Sequence, residues 1–268
     1  MEVTGTPRVV AVVSATRGVG RTTVAQNLAA AAGERGQRVC LLDADVGAVL
    51  RAQPASGATL FDVAAGRARL SDALRPGPDG VDLLALYASE RRPSAVLSDS
   101  VLLAHIDALE TRYDLVLVDL PSGSAHRALF FAGAATEVLL VVMPHEQAVR
   151  QAETLVRVLA ARRGRREVLI LPNACASAEE AADLVRALHA TGTRPPHVRL
   201  RALGWIPTDD AVTAARRARL PVVSAAPGAP AAAALAAAAH RLETLAPSRP
   251  TGGAQFFFRS LIAQGRAA

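Results

Sequence analysis

Seven short apolar runs punctuate the chain: Val9–Val13, Val39–Leu42, Val81–Leu86, Leu115–Val118, Val138–Val142, Val168–Leu171 and Leu200–Ile206. A strand with one wet face alternates apolar and polar residues, whereas runs apolar throughout must be covered on both faces. Helix-length segments separate the runs, at Arg21–Arg35, Ser98–Glu110, Glu146–Arg162, Ala178–His189 and Asp209–Arg219. "APAAAALAAAAHRLETL" supplies the last helix. The pattern predicts an α/β domain with a mostly parallel central sheet and helices on both faces. The 268 residues suffice for one such core, and 51% hydrophobic against 20% charged residues excludes a disordered chain.

In sheets of this kind ligands sit beyond the carboxyl ends of the strands, so the residues just after each run carry the interest. After the first comes "VVSATRGVGRTT", Val12 to Thr23. A strand enters a glycine turn and a hydroxyl pair opens a helix, which is the layout of the phosphate loop G-x-x-x-x-G-K-[ST]. Gly18 and Gly20 let backbone N–H groups turn toward phosphate oxygens, and the helix dipole adds to them. Ala15 stands in place of the first Gly, Arg21 in place of the Lys, and Thr22 at the metal-binding hydroxyl. Arg keeps the charge but presents a longer planar fork. All 30 basic residues are Arg, so no Lys elsewhere in this sequence can take over. Taken alone, the stretch also reads as an ordinary glycine turn.

Two further runs end in carboxylates: "LLDADVG" places Asp43 and Asp45 after the second, and "YDLVLVDLPSG" places Asp119 at the end of the fourth. A phosphate loop beside a strand-end Asp is what Mg²⁺–nucleotide chemistry uses. Asp119 suits a metal held through water, and one of the first pair suits orientation of an attacking water. Each Asp singly also reads as a turn or cap residue. Their joint order and spacing favour the nucleotide reading.

The stretches "SATRGVGRTTVAQNLA", "LLDADVG", "YDLVLVDLPSG" and "ALGWIPTDDAV" together resemble the MinD/ParA family of deviant-Walker P-loop ATPases, in order over nearly the whole chain. The resemblance implies ATP or ADP with Mg²⁺, and an ATP-sandwiched homodimer. Against that family's K-G-G-V-G-K-T-[ST], Thr16 occupies the signature-Lys position and Arg17 the next Gly. Gly18, Val19 and Gly20 match, Arg21 replaces the P-loop Lys, and Thr22 and Thr23 match. By the same resemblance Asp45 positions the hydrolytic water, and Thr22, Asp43 and Asp119 hold the metal. Asn173 corresponds to the Asn that reads adenine, and Pro207 and Asp209 to the loop closing the base pocket. The carboxylates are kept and both lysines lost, which bears on hydrolysis and dimerisation more than on nucleotide binding.

A linker at 246–253 separates the domain, 1–245, from a tail at 254–268 that holds Phe256, Phe257 and Phe258. On a helix, Phe257, Phe258, Leu261 and Ile262 share one face, with Arg259 and Arg266 across from them. Such a helix suits the membrane interface, although one alone binds weakly; the rival reading docks it on the protein's own surface. Its place and character resemble the membrane-targeting helices of the MinD and flagellar site-determining branches. The middle segment adds to the likeness to the flagellar branch.

A net charge of +6 favours anionic partners without selecting one. Nonspecific DNA is the partner of a rival, partition-type reading, which leaves the Phe tail without a role. A second rival is a scaffold that does not hydrolyse ATP. Two cysteines match no metal spacing, and no signal peptide or spanning run appears, so the reading expects a cytoplasmic chain peripheral to the membrane. The arginines at 162, 163, 165 and 166 read as a solvated helix end, and His145 as a loop residue.

Overall fold

A computed structural model describes residues 7–44, 57–64, 66–86, 112–120, 129, 132–133, 135–163, 167–190 and 198–246. Within them eight strands form one sheet in the order β3-β4-β2-β5-β1-β6-β7-β8. The strands are β1 (Arg8–Val13), β2 (Val39–Asp43), β3 (Leu74–Pro76), β4 (Asp82–Ala85), β5 (Leu115–Asp119), β6 (Glu137–Val142), β7 (Glu167–Pro172) and β8 (Arg199–Ala202). Every pairing is parallel except β3 with β4. The all-apolar runs are buried on both faces, as their composition requires.

The helices are α1 (Arg21–Glu34), α2 (Leu60–Ala64), α3 (Leu70–Ala73), α4 (Glu146–Arg163), α5 (Ala178–Ala190), α6 (Asp210–Ala218), α7 (Val222–Ala225) and α8 (Pro230–Thr244). Alternation along the strands divides the core in two. Val10, Val12, Leu41 and Leu117 face α1, α7 and α8; Val9, Ala11, Leu42 and Val118 face α2, α3, α4 and α5. Buried alanines on α1 (Ala29–Ala32) and α8 (Ala231, Ala232, Ala238, Ala239) pack those two helices together, their small side chains allowing close approach.

Three differences from the sequence reading have local causes. The last apolar run is regular strand only over Arg199–Ala202; beyond it Leu203 N still donates to Ile170 O and Ile206 N to Pro172 O, and both side chains join the α1-side core. Strand β3 carries Arg75 and Pro76, a composition that hides a strand but suits a sheet edge, where Pro blocks further pairing. Helices α2, α3 and α7 span four or five residues, too few to show a helical period. The helix expected at 98–110, the Arg cluster at 165–166 and the tail at 254–268 lie outside the described residues.

Strand β1 is flanked by β5 on one side and β6 on the other. Chain progression reverses across it, and this is where a crevice opens at the carboxyl ends of the strands. The loop 14–20 leaves β1 at that point.

Candidate functional site

The loop is shaped by two left-handed glycines, Gly18 (φ 77°) and Gly20 (φ 81°). A methyl group at Gly18 would meet nothing within 4 Å, so the loop is open there; one at Gly20 would lie 2.4 Å from Asn173 Nδ2. Ser14 Oγ donates to Thr16 O at 2.9 Å, holding the start of the turn. Gly20 is the N-cap of α1, no side chain caps that helix, and its first turn contains no acid. The N–H groups of the first turn and the dipole of α1 therefore face the loop opening. Arg17 and Gly18 are exposed, Thr16, Gly20, Thr22 and Thr23 half-buried, and Val19 buried.

Arg21, at the first position of α1, is buried, and its Nε donates to Asp119 Oδ1 at 2.8 Å. Its Nη1 lies 3.5 Å from Ser14 Oγ. A cation is disfavoured at a helix N-terminus, so a buried carboxylate beside it offsets the dipole as well as the charge. Asp43 and Asp119 are Cα partners across β2 and β5. Both are buried, and alternation turns both toward the α1 side of the sheet, as it does Ser14 after Val10 and Val12. The strand ends are stitched by Ala44 N donating to Asp119 O at 3.0 Å and Leu86 N to Asp43 O at 2.8 Å.

On the other side of the loop, Asn173 Nδ2 donates to Val19 O at 2.7 Å, clamping the loop to the end of β7. The segments after β7 and β8 are joined: Cys175 N donates to Ile206 O at 3.1 Å, Thr208 N to Cys175 O at 3.0 Å, and Cys175 pairs with Pro207 in an isolated bridge. Asn173 and Pro207 thus lie on joined segments, the first of them held against the glycine loop. Asp209 has a structural task. Its Oδ1 accepts from Ala211 N at 2.9 Å, capping α6, and its Oδ2 accepts from Ala231 N at 3.0 Å in the first turn of α8. His145 is exposed at the start of α4, as a loop histidine would be.

The structure thus brings the loop, Arg21, Asp43 and Asp119 together and sets Asn173 against the loop, with Pro207 on the segment joined to that of Asn173. Asp45 and the residues from Phe256 onward lie outside the described residues. No motif in the sequence singles out Ser14; its place two residues beyond Val12 on the α1 face is the available signal. The open glycine loop and uncapped helix fit a phosphate chain. The donor set Thr22, Asp43 and Asp119 has the hard-oxygen chemistry of a Mg²⁺ site. The Arg21 guanidinium lies on one oxygen of this set, Asp119 Oδ1, a position that such an ion would have to share.

Residues 10–222 match the family model of the CobQ/CobB/MinD/ParA nucleotide binding domain. The antiactivator FleN of Pseudomonas aeruginosa is 33% identical over 264 residues, covering 95% of this chain and 93% of FleN. The cell division ATPase MinD of Pyrococcus furiosus superposes with a TM-score of 0.67 at 25% identity, covering 89% of this chain and 99% of MinD. MinD of Pyrococcus horikoshii, solved with Mg-ADP, gives 0.64 at 23% identity, covering 89% and 96%.

Proposed function

We propose, on the premise that this chain belongs to the CobQ/CobB/MinD/ParA nucleotide-binding family, that it is a nucleotide-binding regulator of flagellar number or placement whose ATP-dependent switching is weakened. Likeness to FleN along 95% of the chain supports the biological role. The observation that carries the nucleotide site is the loop itself: left-handed Gly18 and Gly20, open space at Gly18, and an α1 N-terminus with no side-chain cap. The phosphates of ATP or ADP sit on the loop's N–H groups, among Thr16–Thr23. The base lies toward Asn173 and Pro207.

Arg21 is the reason for weakened switching. Its guanidinium is engaged by Asp119, so stabilising charge that develops on a transferring phosphate requires giving up a buried ion pair first. Hydrolysis, with Asp45 orienting the water, is slow under this reading. An ATP-bridged homodimer forms less readily because Thr16 carries no charge to reach a partner's phosphates. A second reading, a protein that binds nucleotide without hydrolysing it, is favoured by that same ion pair.

The Phe-rich segment 254–268, with Arg259 and Arg266 flanking its apolar residues, supplies peripheral membrane contact. Co-sedimentation with vesicles of mixed neutral and anionic phospholipid, with and without residues 254–268, tests this part. Loss of sedimentation on truncation is the expected result. Equal sedimentation removes the membrane role, and salt-sensitive DNA binding in its place supports the partition reading. Counting flagella in cells lacking the protein tests the regulatory role. An unchanged number contradicts it.

A further inference from the structure

The two strand-end carboxylates, Asp43 and Asp119, are buried at adjacent register positions and project to the same side of the sheet. Two like charges so placed require a cation, whether a metal ion or a side chain. The structure supplies a side chain: Arg21, itself 5% exposed, with Nε 2.8 Å from Asp119 Oδ1. We propose that Arg21 is the resident cation at this carboxylate pair, occupying Asp119 where a divalent ion would be tethered and so displacing the ion from that carboxylate.

Three features support this. A guanidinium stays charged when buried, so it cannot relieve the site by losing its proton as a lysine can. The fork fixes direction as well as charge: Nε serves Asp119 while Nη1 approaches Ser14. Arg21 is also anchored by its backbone in the first turn of α1, directly over the ends of β1 and β5. The inference deepens the nucleotide reading by naming the cation the site uses. Its test contains no nucleotide, so either can fail without the other.

The test is titration of the full chain with Mn²⁺ alone, following free Mn²⁺ by electron paramagnetic resonance. Wild type is expected to bind Mn²⁺ no more tightly than the millimolar range, with no dependence on Asp119. Arg21→Gln is expected to bind one ion per chain, at least about tenfold more tightly than wild type, and adding Asp119→Asn abolishes that binding. Wild type binding one Mn²⁺ in an Asp119-dependent manner overturns the proposal. So does folded Arg21→Gln binding no better than wild type. If Arg21→Gln fails to fold by circular dichroism, Arg21→Gln/Asp119→Asn decides: recovery of the fold supports charge compensation, and an unfolded double variant overturns it.

Discussion

Arg21 and Asp119 are 98 residues apart in sequence and meet through Nε and Oδ1 at 2.8 Å, both inside the protein. The pair joins the first residue of α1 to the last residue of β5, and so ties the glycine loop to the centre of the sheet.

Breaking a buried pair by removing one partner leaves an uncompensated charge, at a cost of about 3–5 kcal/mol. Arg21→Met and Asp119→Leu are each expected to fall in that range by urea unfolding. Arg21→Met/Asp119→Leu recovers most of the loss. Simple additivity of the two single effects would show that the residues do not compensate one another.

Asp209 holds two helices by their N–H groups, one in α6 and one in α8. Asp209→Ala is expected to cost about 1–2 kcal/mol, measured as a lowered urea midpoint with unchanged slope. Stability equal to wild type would contradict the capping role.

Gly20 is left-handed and faces Asn173. Gly20→Ala combines backbone strain of about 1–2 kcal/mol with a clash against the amide that clamps Val19. Removing the amide as well, in Gly20→Ala/Asn173→Ala, relieves the clash and leaves the strain. The double variant is therefore expected to be no less stable than Gly20→Ala, and to remain below Asn173→Ala.

Cys40 and Cys175 are both buried. Burial pushes the Cys40 thiol far above its usual range and that of Cys175 up to about 11. Both therefore stay protonated and unreactive at neutral pH. Ellman's reagent is expected to find no thiol in the native protein and two in denaturant. Rapid native labelling of either would contradict this burial.

At the opposite end of β5, Asp114 accepts from Arg38 Nη2 at 2.7 Å, and the guanidinium holds its carboxyl below the ordinary value of 3.8. A carboxylate depressed in the folded state contributes stability that is full above its unfolded value and lost as pH falls through the lower folded one. Asp114→Asn is thus expected to flatten the fall of Tm below about pH 4. The pair is well exposed, so the effect is small and shrinks with salt. An unchanged acid limb at low ionic strength would contradict it.

Periodicity made the sheet, the two-faced burial and the strand-end position of Asp43 and Asp119 readable before any coordinates, because an apolar run has few other places to go. The edge strand β3 and the four-residue helices were not readable, since their residues carry no period. The direction of Arg21 was hidden for another reason. A motif reports which residue type follows Gly20, whereas the partner the guanidinium takes depends on a carboxylate brought beside it by β5. Asp209 shows the same limit: nothing in the sequence around Pro207 says that the carboxylate two residues on is shared by two helix N-termini.

Whether the loop at 14–22 holds nucleotide phosphate is tested most directly by calorimetric titration of wild type and Gly18→Asp with ADP and ATP. Position 18 has room for a side chain, and Asp tolerates the left-handed backbone, so the variant keeps the fold and places negative charge in the cradle. One site per chain in wild type, weakened at least about tenfold in Gly18→Asp, is the predicted result. No binding heat in wild type at millimolar nucleotide, or equal affinity in the two proteins, would contradict it.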